Sequence, residues 1–169
     1  THLPAYLADE GLPPSVSAWS LAMIGLFNIF GSYLFGVLGG RFRQKWVLSA
    51  IYLARAVVIT LFIALPLSGT TAVAFGAAIG FLWLGTVPLT SGLVARVFGV
   101  RYLSMLYGVV FASHQVGAFL GAWGGGLAYD LLGSYNSIWL ASIALALFAA
   151  AIHLPIKDQP LARLAATPA

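Results

Sequence analysis

Apolar residues run almost unbroken through five stretches, at 17–39, 46–66, 72–95, 103–128 and 136–155, while turn-forming residues and most charges fall in the gaps. A spanning helix needs about 20 apolar residues, because each adds roughly 1.5 Å and the hydrocarbon core is about 30 Å thick. The pattern predicts an all-α polytopic membrane protein. The gaps at 40–45, 67–71, 96–102 and 129–135 are too short for a soluble domain, so successive helices pack as antiparallel neighbours. Ser68-Gly69-Thr70-Thr71, after Pro66, and Gly133-Ser134-Tyr135-Asn136 read as turns.

Residues 3–8 (Leu-Pro-Ala-Tyr-Leu-Ala) read as the outer end of a further apolar helix, and Asp9, Glu10, Gly11, Pro13 and Pro14 then form a breaker-rich outer loop. No positively charged segment precedes them, so they do not form a signal peptide. The expectation is a fragment. Residues 1–16 are the end of a truncated helix and its loop, 17–155 a five-helix transmembrane bundle, and 156–169 a polar cytoplasmic tail that frays.

Charge supports this threading. The chain is 61% hydrophobic and 7% charged, against about 25% charged residues in soluble domains. Arg41, Arg43 and Lys45 lie in the first gap, Arg96 and Arg101 in the third, and Lys157 and Arg163 after the last span. The alternate gaps hold Asp9, Glu10 and Asp130 instead. By the positive-inside rule the basic gaps and the C-terminus face the cytoplasm, placing the protein in a plasma membrane, here a bacterial inner membrane. The net charge of +4 is spread over loops and forms no patch for nucleic acid. Without cysteine there is no disulfide framework and no Cys-based metal or redox site. His2, His114 and His153 fall at outer end, middle and inner end, too dispersed to share an ion, so no cofactor or metal is expected.

Small and polar residues inside the spans carry the remaining information. Gly76 and Gly80, and Gly117, Gly121 and Gly125, recur every four residues on one helix face, where backbones approach closely. Gly36 and Gly40 repeat the spacing. Pro88 deletes a backbone hydrogen bond within the third span and predicts a kink, with Thr86 and Thr90 near enough to satisfy freed carbonyls. Polar groups at mid-membrane are costly and mark candidate sites. Asn28 is halfway along the first span and His114, beside Gln115, halfway along the fourth. His114 shares the glycine face of its helix, where an interhelical hydrogen bond competes with a role toward substrate or proton. Trp83, Thr86 and Thr90 share a face of the third span, as ligand wall or as packing. Arg55, about 13 Å from the inner end of its helix, pairs with an organic anion, snorkels or stacks on Tyr52. No complete span offers it an acid.

Gly36-Val-Leu-Gly-Gly-Arg-Phe-Arg-Gln-Lys45 resembles the loop signature of the major facilitator superfamily, with Gly40 at the usual aspartate position and Arg43 at the second glycine. It resembles the degenerate copy between helices eight and nine, so the motif residues are Gly36, Gly40, Arg41, Arg43 and Lys45. Phe98-Gly-Val-Arg101 is similar to the next cytoplasmic loop, and Ser113 through Tyr135 to helix eleven and its outer loop in the monocarboxylate and oxalate/formate-like branches. The resemblance implies half of a family bundle, from the end of helix seven to helix twelve. It implies a secondary transporter of a small solute by alternating access, whose partners are that solute, a coupled proton, the lipid bilayer and the N-terminal half. Candidate substrate-binding residues are then Asn28, Trp83, Thr86, His114 and Gln115, while Arg55 falls on a peripheral helix. Anion-transporting branches place an arginine on helix eight, and the corresponding span here has none.

Two other classes compete. A small accessory or sensor membrane subunit fits a short chain of this kind. An intramembrane serine hydrolase would pair Ser91 with His114, but about 10 Å of membrane depth separates them, and nucleophile and base must come within hydrogen-bond reach. No enzymatic activity is expected.

Overall fold

A computed structural model describes residues 2–161; Thr1 and residues 162–169, with Arg163, lie outside the described residues. Seven α-helices and one short 3-10 turn follow one another: α1 (Leu3–Asp9), α2 (Pro14–Arg41), α3 (Gln44–Ala64), α4 (Gly69–Trp83), α5 (Thr86–Phe98), the turn Val100–Tyr102, α6 (Leu103–Leu132) and α7 (Asn136–His153). The described residues contain no strand. Counting α4 and α5 as one span and joining the short turn to α6, five helices among the described residues are long and apolar enough to cross a membrane.

Local chemistry sets the ends. Pro14 begins α2 at the first helical position, where its missing N–H is not needed. The Ser68–Thr71 segment, read from sequence as a turn, is the capping box of α4. The Thr71 N–H donates to Ser68 Oγ over 3.2 Å, and the Ser68 N–H donates back to Thr71 Oγ1 over 2.8 Å. Gly133, at φ +64°, closes α6 in the left-handed conformation that glycine adopts without strain.

Packing divides into two sets. α2 lies against α4, α3 against α7, and α4 and α5 also reach α3. Toward the Ser68 end, Leu7, Ile59, Phe62, Phe75 and Ile79 form one core, with the Phe62 and Phe75 rings stacked at 4.0 Å. Toward the basic end, Phe35, Leu48, Ile51, Leu82, Leu89 and Leu93 form a second. The Gly76/Gly80 stripe seats α4 on α2: a Cβ at Gly76 would lie 2.5 Å from the Ser20 carbonyl oxygen. The other stripes differ from expectation. At Gly117, Gly121 and Gly40 nothing lies within 4 Å, and Gly36 meets only Pro88 Cβ at 4.0 Å. The close approach near the end of α2 is made by Gly39, against Leu89, and on α6 by Gly125, against the His2 ring. Repeated glycines permit approach but do not supply a neighbour, and α6 makes few contacts among the described residues.

The segment after α7 does not fray through its first residues. Ile156 packs against the second core, and the Leu161 N–H donates to the Val97 carbonyl over 3.1 Å. Large apolar side chains such as Trp19, Phe30, Tyr33, Phe119, Trp123 and Leu131 remain exposed on the outer surface. Such a surface is an aggregation liability in water and an ordinary one in lipid.

Candidate functional site

Pro88 has no N–H, and its ring clashes with the carbonyl four residues back, so a regular helix cannot run through Leu84. The chain turns at Leu84 and Gly85, and Val87 N–H donates to the Leu84 carbonyl over 3.0 Å, one residue short of helical spacing. This break lies near the middle of the span 69–98. Backbone groups left without helical partners there must be satisfied from outside the helix, since each costs several kcal/mol in hydrocarbon.

Three helices supply the partners. From α2, Asn28 Oδ1 accepts the Leu84 N–H over 3.1 Å. From α3, Arg55 Nη2 donates to the carbonyls of Leu82, at 2.7 Å, and Trp83, at 2.6 Å. Within α5, the Thr86 hydroxyl donates to the same Trp83 carbonyl over 3.3 Å. Gly85 is buried because the Phe35 ring from α2 occupies the space a side chain would need. The Arg55 guanidinium carbon sits 5.0 Å from the centroid of the Tyr52 ring. It therefore does not snorkel, and meets no acid among the described residues: it stacks on Tyr52 and caps the carbonyl end of α4, the negative pole of the helix dipole.

The structure thus gathers Asn28, Trp83 and Thr86 around one break, with the Trp83 side chain 50% exposed beside it. His114 and Gln115 are not brought into this cluster. Both are exposed on α6, and the described contact of the His114 ring is with Phe111, at 6.1 Å. The interhelical hydrogen bond weighed for His114 is not formed among the described residues. Thr90, weighed for the freed carbonyls, makes no such bond either; Thr86 does. The Ser91 hydroxyl donates to the Pro88 carbonyl of its own helix over 3.1 Å and shares no hydrogen bond with His114.

The loop-motif residues lie at the basic end. Arg41 is exposed in the last turn of α2. Lys45 Nζ donates to the carbonyls of Leu154, at 2.7 Å, and Ile156, at 2.9 Å. Arg43 Nε lies 3.9 Å from Asp158 Oδ2, and Arg96 Nη1 lies 3.4 Å from Asp158 Oδ1. The Asp158 side chain is fully buried. Sequence reasoning missed Asp158 and the partners of Arg55. A signal for the second was present: a proline that frees carbonyls and an intramembrane arginine with no acid to pair.

Residues 2–169 match the Major Facilitator Superfamily. A curated relative, the uncharacterized MFS-type transporter YcxA of Bacillus subtilis (strain 168), is 26% identical over 149 residues, covering 85% of this chain. The matched part spans 36% of that relative's length. No solved structure gives a significant match.

Proposed function

Because the chain belongs to the Major Facilitator Superfamily, we propose that it forms the C-terminal half of a secondary transporter that moves a small solute by alternating access. The observation that carries this reading is the broken span α4–α5, whose backbone at mid-helix is held by side chains rather than by helical bonding. Irregular backbone at membrane depth is tolerated where it is buried in protein or lines a water-filled cavity. Asn28, Trp83 and Thr86 at the break, with His114 and Gln115 on α6, form the proposed solute-facing set, His114 serving a coupled proton. The N-terminal half closes the cavity from the other side. The basic loops and the C-terminus face the cytoplasm of a plasma membrane.

The test does not need the solute. Single cysteines placed at Asn28, Thr86, His114 and Gln115 in a cysteine-free full-length transporter report water access from each side of the membrane. Alternating access predicts modification by impermeant thiol reagents from both faces, with opposite changes in rate when the carrier is locked outward or inward. Positions that stay unreactive from both faces are in lipid or in packed protein and leave the proposed set.

A further inference from the structure

We propose that Arg55 is the positioning residue of the break: from α3 it fixes the backbone of Leu82 and Trp83, and through them the place of the Trp83 and Thr86 side chains. The inference rests on the reading of α4–α5 as solute-facing, but it concerns a residue outside the solute-facing set.

Stoichiometry supports it. Nη2 of a guanidinium carries two hydrogens, and the two carbonyls within reach are those of Leu82 and Trp83. Trp83 oxygen has two lone pairs, which take Arg55 and the Thr86 hydroxyl. The carbonyls of Leu82 and Trp83 each have a side-chain donor, Asn28 accepts the N–H of Leu84 on the other side, and the buried Arg55 Nε–H has no hydrogen-bond partner among the described residues. The guanidinium carbon itself sits 5.0 Å from the centroid of the Tyr52 ring, one turn earlier on the same helix, so a second contact from α3 holds it.

Coupling follows from the geometry. α3 packs along α7 and also against α4 and α5. A shift of α3 relative to α4 moves the donor against both carbonyls. An apolar residue at 55 leaves the Leu82 carbonyl without its side-chain donor and the Trp83 carbonyl with the Thr86 hydroxyl alone. Lysine, with three donors on a long stem, can reach the same carbonyls and restores their donors, but without the planar group that stacks on Tyr52.

The experiment incorporates 5-fluorotryptophan into the full-length protein in nanodiscs and follows the Trp83 fluorine resonance, assigned by its loss in Trp83→Phe. Trp139, packed among Tyr6, Phe62 and Phe75, is the control. Arg55→Met is expected to shift the Trp83 resonance or at least double its width and to leave Trp139 unchanged; Arg55→Lys is expected to reverse the change in part. If Arg55→Met does not accumulate in the membrane, Tyr52→Leu, which removes the stacking ring, is expected to move Trp83 in the same direction. An unmoved Trp83 resonance overturns the proposal. So does an equal change at Trp139, or a Lys variant that behaves like Met. Cysteine access at Thr86 fails or succeeds independently of these signals, so loss of the solute-facing reading and loss of this proposal are told apart.

Discussion

Gly80 of α4 faces the backbone of Ile24 of α2 so closely that a Cβ on Gly80 would lie 2.5 Å from the Ile24 carbonyl oxygen and 2.6 Å from its Cα. No side chain separates the two helices at that level. Gly25, one residue further along α2, has nothing within 4 Å of its would-be Cβ. Gly80→Ala is therefore expected to destabilise by about 1–3 kcal/mol, the ordinary range for overpacking. Gly25→Ala is neutral or stabilising by about 0.5–1 kcal/mol through helix propensity. Apparent melting temperatures followed by intrinsic tryptophan fluorescence in one detergent check the contrast: a fall for Gly80→Ala and none for Gly25→Ala.

Asn28 meets the break through an acceptor, its Oδ1, and not through its amide donors. Asn28→Ala removes the acceptor of the Leu84 N–H, a loss of about 0.5–1.5 kcal/mol, the ordinary net value of one hydrogen bond. Asn28→Asp keeps an acceptor in place. Amide exchange at Leu84 is expected to accelerate in the alanine variant and stay close to wild type in the aspartate variant. Equal acceleration in both would place the bond outside the stabilising set.

Asp158 is buried between Arg43 and Arg96, which are themselves about half exposed, with side-chain exposures of 51% and 46%. Solvent screening at the arginines limits the contribution to about 1 kcal/mol. Asp158→Asn is expected to raise amide exchange over residues 156–161 roughly fivefold, since 1.4 kcal/mol corresponds to tenfold. The double variant Arg96→Asp, Asp158→Arg recovers part of the protection. Unchanged exchange in Asp158→Asn would assign the docking of this segment to Ile156 and the Lys45 bonds alone.

The fold was legible in the sequence to the extent that lipid imposes it. Long apolar runs, the basic gaps and Pro88 act locally, and the helices and the break follow from them. What joins distant helices was not legible. Asn28 and Leu84 are separated by 56 positions, Arg96 and Asp158 by 62, and nothing in either segment names the other. The glycine stripes show the same limit. Gly76 and Gly80 found α2, whereas Gly117 and Gly121 have the same spacing and no neighbour within 4 Å. Of the candidate site, the proline and its threonine point to the place, but the arginine that holds it falls on a helix that the family resemblance makes peripheral, and its partners are backbone carbonyls, which a sequence does not distinguish.

The account depends on apolar helices that cross the bilayer in alternating directions, with arginine and lysine held on one face. Reporter fusions after Gln44, the first residue of α3, and after Leu67, in the α3–α4 connection, test this directly. The account predicts a fluorescent, phosphatase-inactive reporter after Gln44 and a phosphatase-active, non-fluorescent one after Leu67. The same compartment for both would contradict it.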